Sequence, residues 1–261
     1  MPLALTILLL SSLASQAFGA PLKDPALASE LCAIALTNRP IDQLQARSTC
    51  EIIATKPYPK GSPVARAVIV RVPMVSNTAD ILMFELATAK PTQWQDLGEV
   101  AYQQDLRARG SRFGARRLAT LDRFELRKSK LGPVLEVGMA LEIDTDDSGG
   151  VIEARTHMTM FCHFGSELVC VQVLDRNSVA ARGKVQDIKL YSWTRELALN
   201  ASGDLVLGPQ LGDCEPALLE LAAGTHTIAS LANRPLVRQY PRTSAGYPGA
   251  TDDDVGVPEL P

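Results

Sequence analysis

Hydrophobic side chains recur at every second position along much of this chain. The clearest run spans Val134 to Ile143, with Leu135, Val137, Met139, Leu141 and Ile143 on one side and Glu136, Gly138, Ala140 and Glu142 on the other. This is the period of a strand half buried against a core. A second alternating set, Ile152, Ala154, Met158, Met160, Cys162 and Phe164, follows the turn Asp144–Gly149. Val68, Val70 and Val72 alternate with Ile69 and Arg71 until Pro73, and within Leu118–Arg127 Phe124 and Leu126 lie opposite Arg123, Glu125 and Arg127. Ile81–Leu86 is short and apolar without alternation, the mark of a strand buried on both faces. Glu167–Leu174 returns after a Gly165-Ser166 turn. Ile188–Leu199 and Asp204–Leu207 flank Asn-Ala-Ser-Gly, a hairpin signal. A last strand is expected near Thr225–Leu231, whereas Thr92–Arg109 shows no clear period and is compatible with a short helix.

One helix is signalled near the start. Asp24 suits the cap, Pro25 the first turn, and Leu27, Leu31 and Ile34 form a stripe that Asn38 and Pro40 close. Short strands joined by tight turns, without alternating helices, predict a mostly β fold: an antiparallel β-sandwich or open barrel with one N-terminal helix. The expected divisions are a signal peptide over 1–19, helix and linker over 20–63, a β-rich domain over 64–236 and a disordered tail over 237–261. Pro57, Pro59, Gly61 and Pro63 mark the linker, and Pro241, Pro248, Pro258 and Asp252–Asp254 mark the tail.

The uncharged run from Leu3 to Ala14 bears most on where the protein acts. It is too short for a membrane helix and fits the apolar region of a secretory signal peptide, with Ser15, Ala17 and Gly19 as small residues near the cleavage point. A periplasmic or secreted protein is therefore expected. No later segment is long and apolar enough to be a transmembrane helix. A net charge of −3 predicts no general affinity for nucleic acid. No cofactor is expected.

In an oxidising compartment most of the five cysteines should pair. Cys162 and Cys170 fall opposite each other across the Gly165-Ser166 turn. Cys32–Cys50 is the next natural pair, leaving Cys214 as a buried thiol; Cys50–Cys214 stays open as an alternative.

Three patterns carry candidate chemistry. Asp144, Asp146 and Ser148 resemble the first half of an EF-hand calcium loop, with Gly149 at the sixth place and Arg155 where a bidentate Glu would close the shell. The same residues also suit a polar hairpin turn. Glu142-Ile-Asp144 resembles the start of the Glu-x-Asp-x-x-Glu motif of a family of sandwich-fold glycosidases, with Asp147 in the third carboxylate place, one methylene short. That resemblance implies a hydrolase whose paired carboxylates stand about 5 Å apart. Between Leu106 and Lys130, nine Lys or Arg oppose two acidic residues. Within this stretch Arg107, Arg109, Arg112, Arg116 and Arg117 form a glycine-containing loop suited to an anionic envelope component. His157 and His163 stand six residues apart on one strand face, about 20 Å, too far to share a metal ion. No nucleophile elbow or protease-like cysteine context is present. The leading expectation is a non-catalytic binding or structural module of the cell envelope.

Overall fold

A computed structural model of the chain describes residues 24–37, 39, 50–74, 78–87, 90–105, 115–147, 150–165, 167–212, 222–228, 237–244 and 246–248. The expected signal peptide, Cys214 and the residues beyond 248 lie outside them.

The helix α1 (Pro25–Thr37) forms where its cap predicts: the Leu27 amide donates to Asp24 Oδ1 at 3.0 Å. Arg39 closes the other end, donating to the Ala35 carbonyl and to Asp96. Cys32 and Cys50 lie at disulfide distance, with S–S 2.05 Å, and tie the helix to the next strand. That strand, β1 (Glu51–Pro57), occupies part of the expected linker, because Ile52 packs with the helix and Ala54, past a register shift, enters a second apolar cluster. The proline-rich stretch after it is the turn into β2, with Gly61 at φ 89°.

An antiparallel meander follows: β2 (Val64–Pro73), β3 (Thr78–Leu86), β4 (Gln93–Asp105), β5 (Ala115–Arg127), β6 (Val134–Asp147), β7 (Gly150–Phe164) and β8 (Leu168–Thr194), each paired to its predecessor. β3 is buried on both faces, as its unbroken apolar run predicts. β4 replaces the compatible short helix. Register shifts against β3 at Asp80/Ile81 and Leu82/Met83, with Gly98 at φ 98°, break its two-residue period and hide the strand in the sequence.

β8 is too long to run straight. Its start and end meet where the Arg195 amide donates to the Asp175 carbonyl at 2.8 Å. Twenty extended residues would separate those groups by about 65 Å, so the strand folds back on itself. Gly183, at φ 76°, lies midway.

The expected strand 188–199 divides at Arg195–Glu196. Its end is β9 (Leu197–Leu199), which forms the expected hairpin with β10 (Leu205–Leu207). β11 (Leu211–Gly212) pairs antiparallel with β8, and β12 (Ala222–Ile228) pairs with it in parallel, in the region of the last expected strand. β13 (Arg238–Tyr240) joins β9 and β10 in a small three-stranded sheet. Ordered structure therefore passes the boundary expected at residue 237, because Tyr240 and Tyr247 bury their rings.

The main sheet is curled. Phe84 on β3 and Phe164 at the end of β7 lie four strands apart, about 19 Å across a flat sheet. Their ring centroids are 5.4 Å apart, and Tyr58 packs edge-on to both. The concave face thus encloses one core, containing Ile69, Leu82, Phe124, Leu135, Val137, Met160 and Trp193. This is an open barrel of mostly antiparallel strands. Two elements cover its convex face. α1 lies over Val68, Val70, Ile81 and Met83. The small sheet lies over Val134, Phe161 and Val173.

Candidate functional site

Past the small sheet along the same strands, the convex face of β6, β7 and β8 stays polar and holds a groove of about 480 Å³. The antiparallel register builds it. Glu142 on β6 stands opposite Arg155 on β7, which stands opposite Ser178 on β8. In the neighbouring row Ala140 stands opposite His157, which faces Arg176; on the other side Glu153 stands opposite Ala180. Ala140, Ser178, Ala180 and Ser192 are small, and long charged side chains surround them. The groove is a consequence of that size contrast.

His157 anchors one end. Its Nδ1 hydrogen-bonds to Asp175 Oδ1 and its Nε2 to Asp122 Oδ2. These bonds, to Asp122 first and Asp175 second, outweigh burial and raise its pKa to about 9. At neutral pH the ring is an imidazolium donating from both nitrogens, so it cannot serve as a general base. Gly138 makes the approach possible, since a Cβ there would collide with the Asp122 carboxylate.

The charges beside it are unevenly matched. Arg182 Nε meets Glu153 Oε1 at 3.1 Å, and Arg155 Nη2 lies 3.6 Å from the other Glu153 oxygen. Arg176 forms no ion pair among the described residues, although His157 stands directly opposite it.

The expected site residues fall as follows. Glu142 is exposed and lines the groove; Asp144 is half-buried, opposite Glu153 on one side and Arg116 on the other. Asp146 and Asp147 pair with Val151 and Gly150 within the ladder. Ser148 lies outside the described residues. The acidic positions considered for calcium thus belong to extended strand, and no group of three His, Cys, Asp or Glu among the described residues is placed to hold a metal ion. Arg107, Arg109 and Arg112 lie outside the described residues, while Arg116 and Arg117 pair with Asp144 and Ile143 in the sheet. Cys162 and Cys170 are register partners with S–S 2.08 Å. Met158 and Met160 belong to the core.

His163 is a different case. It is buried beneath the segment after β13, 5.7 Å from the Tyr247 ring, and neither nitrogen has a hydrogen-bond partner among the described residues. Burial, then the nearby Arg242 guanidinium, pushes its pKa down to about 4.

Sequence reasoning missed the His157 clamp and the arginine row. The signal was present in part: Glu153, Arg155 and His157 alternate with Ile152, Ala154, Thr156 and Met158, and Ser178, Ala180 and Arg182 with Val179 and Ala181. No family model, curated protein or solved structure matches the chain.

Proposed function

We propose that this is an exported, non-catalytic binding module whose convex groove engages an anionic component of the cell envelope. One observation carries the reading: Arg155, Arg176 and Arg182 line a single groove beside a protonated His157, while Arg176 lacks an acidic partner among the described residues. Guanidinium groups match carboxylate and phosphate oxygens in pairs, which favours an oxyanion over a neutral ligand. Two cysteine pairs at disulfide distance support an oxidising compartment. No helix among the described residues is long and apolar enough to cross a membrane.

The test is binding of the full chain to an immobilised panel of acidic and neutral glycans and lipids, repeated with Arg155→Glu/Arg176→Glu. Retention on acidic members alone, lost in the charge-reversed variant, is the expected result. Equal retention by both proteins removes the groove from the reading.

A second reading is favoured by the position of Glu142, which shares the groove with Glu153: an extracytoplasmic hydrolase. It requires turnover of a glycoside that Glu142→Gln abolishes. A broad screen without turnover eliminates it.

A further inference from the structure

The groove is uneven in a way that points to the kind of oxyanion it takes. Arg155 and Arg176 occupy neighbouring strands, diagonal to each other across the ladder: Arg155 opposes Ser178, and Arg176 lies two residues before Ser178. Diagonal neighbours at that spacing are about 7–8 Å apart at the backbone, within reach of long side chains converging on one point. Ser178 and Ser192 line the same groove. The Ser178 hydroxyl reaches the Arg155 carbonyl only at 3.5 Å, the limit of a useful hydrogen bond, so it can turn to a better acceptor. Arg182, by contrast, is held by Glu153. One carboxylate, Glu153, is thus shared between Arg182 at 3.1 Å and, more loosely, Arg155 at 3.6 Å, while Arg176 at the other end has no acidic partner among the described residues.

Arg176 stands across from the His157 imidazolium, whose charge Asp122 and Asp175 balance, and diagonal to the Arg155 guanidinium, which Glu153 holds only loosely. An anion of high charge density seated there supplies the counter-charge that Arg176 lacks. The donors comprise two planar guanidinium forks and two hydroxyls. A carboxylate offers two oxygens in one plane; a phosphomonoester offers three, in a pyramid, with nearly two charges at neutral pH. Donors arriving from two strands and from the floor suit the pyramid.

We propose that Arg155, Arg176, Ser178 and Ser192 form a phosphoryl subsite, which binds the terminal phosphate of a phosphomonoester. The inference rests on the anion-binding reading above and names the chemical class of its ligand. It involves no bond making or breaking.

The test uses the full chain and calorimetric titration with glucose 6-phosphate and, separately, glucuronate at one pH and salt concentration. Flotation with phosphatidylcholine vesicles, with and without phosphatidic acid, distinguishes a lipid headgroup from a soluble phosphate as the source. The expected result is phosphate binding that weakens about tenfold or more in Arg176→Gln and in Arg155→Gln, as loss of a charge-assisted hydrogen bond predicts. Arg182→Gln should change it less than about threefold. Flotation with phosphatidic acid alone, also lost in Arg176→Gln, supports the subsite with the lipid as its source. Both subsite arginines are exposed, and matching circular dichroism spectra establish that the variants fold. Glucuronate binding as tight as phosphate, with the same dependence on Arg155 and Arg176, overturns the phosphoryl assignment and leaves the anion-binding groove standing. Binding of neither ligand, and no flotation, overturns both. Phosphate binding indifferent to Arg155 and Arg176 also overturns the subsite.

Discussion

Replacing His157 by Gln should destabilise the protein at pH 6 and do so much less at pH 10. The imidazolium bridges Asp122 on β5 and Asp175 on β8 from its place on β7, so one ring cross-links three strands of the curled sheet. Its pKa is raised from 6.5 to about 9 by those carboxylates. A group held up in this way favours the folded state fully below the unfolded pKa, and the contribution disappears as pH rises through the folded one. In a fully shielded site the rise corresponds to about 3 kcal/mol. The three side chains are 19%, 40% and 21% exposed for His157, Asp122 and Asp175. Solvent screening through the Asp122 side lowers the contribution to about 1–2 kcal/mol. The variant leaves two carboxylates near one another with a single neutral amide between them, which keeps the effect at the upper end. Urea denaturation of both proteins at pH 6 and pH 10 measures it, and subtracting the variant removes the ionisation of tyrosines common to both. The expected gap of about 1–2 kcal/mol at pH 6 narrows by more than half at pH 10. A gap that is independent of pH refutes the reasoning, as does an imidazole NMR titration with a midpoint at or below 6.5.

His163 has the opposite sign: its pKa is lowered to about 4, so the unfolded chain takes up a proton first and stability should fall as pH drops from 6.5 toward 4, with His163→Phe flattening that slope in denaturation experiments. Gly138→Ala should cost about 1–3 kcal/mol, because its methyl meets the Asp122 carboxylate and Arg123 Cβ, and the His157 titration midpoint should drop with it. Cys32→Ala/Cys50→Ala, which opens a bridge between residues 18 apart, should lower stability by about 3 kcal/mol in non-reducing thermal melts.

What the sequence disclosed, and what it hid, follows one physical line. β6 and β7 were legible because each keeps a period of two whose apolar set enters the concave core, although the small sheet also buries Val134, Phe161 and His163 on the opposite face. α1 was legible because its cap is local. β4 was not, because two register shifts and a left-handed Gly98 scramble its alternation. β13 was hidden for a different reason. Nothing within Arg238–Tyr240 demands a strand; the segment is ordered by distant partners, such as the Arg242 guanidinium donating to Ser129 and the Gly132 carbonyl. The site divides the same way. The polar alternation of Glu153, Arg155 and His157 is visible in sequence. The partnership of His157 with Asp122, 35 residues away, depends on the register of β5 with β6, which shifts between Leu121 and Arg123 at Asp122.

The position of the groove follows from how the barrel covers itself. A curled sheet has one concave face, which fills with its own apolar side chains, and a convex face that needs a cover wherever it is apolar. Here α1 takes the sector of β1 to β3 and the small sheet takes the base of β6 to β8. Both covered sectors carry apolar residues at their outward positions: Val68, Val70 and Met83 in one, Phe161 and Val173 in the other. Along β7 the outward positions change character within a few residues, from Phe161 and His163 beneath the small sheet to His157, Arg155 and Glu153 beyond it. His157 stands at that change, where its clamp by two carboxylates fixes the sheet without any covering element. The strands beyond it are therefore stiff yet open to solvent. Strands cross-linked by that clamp, small floor residues and an arginine, Arg176, with no acidic partner among the described residues are what a preorganised anion site requires, since little conformational entropy remains to be lost on binding.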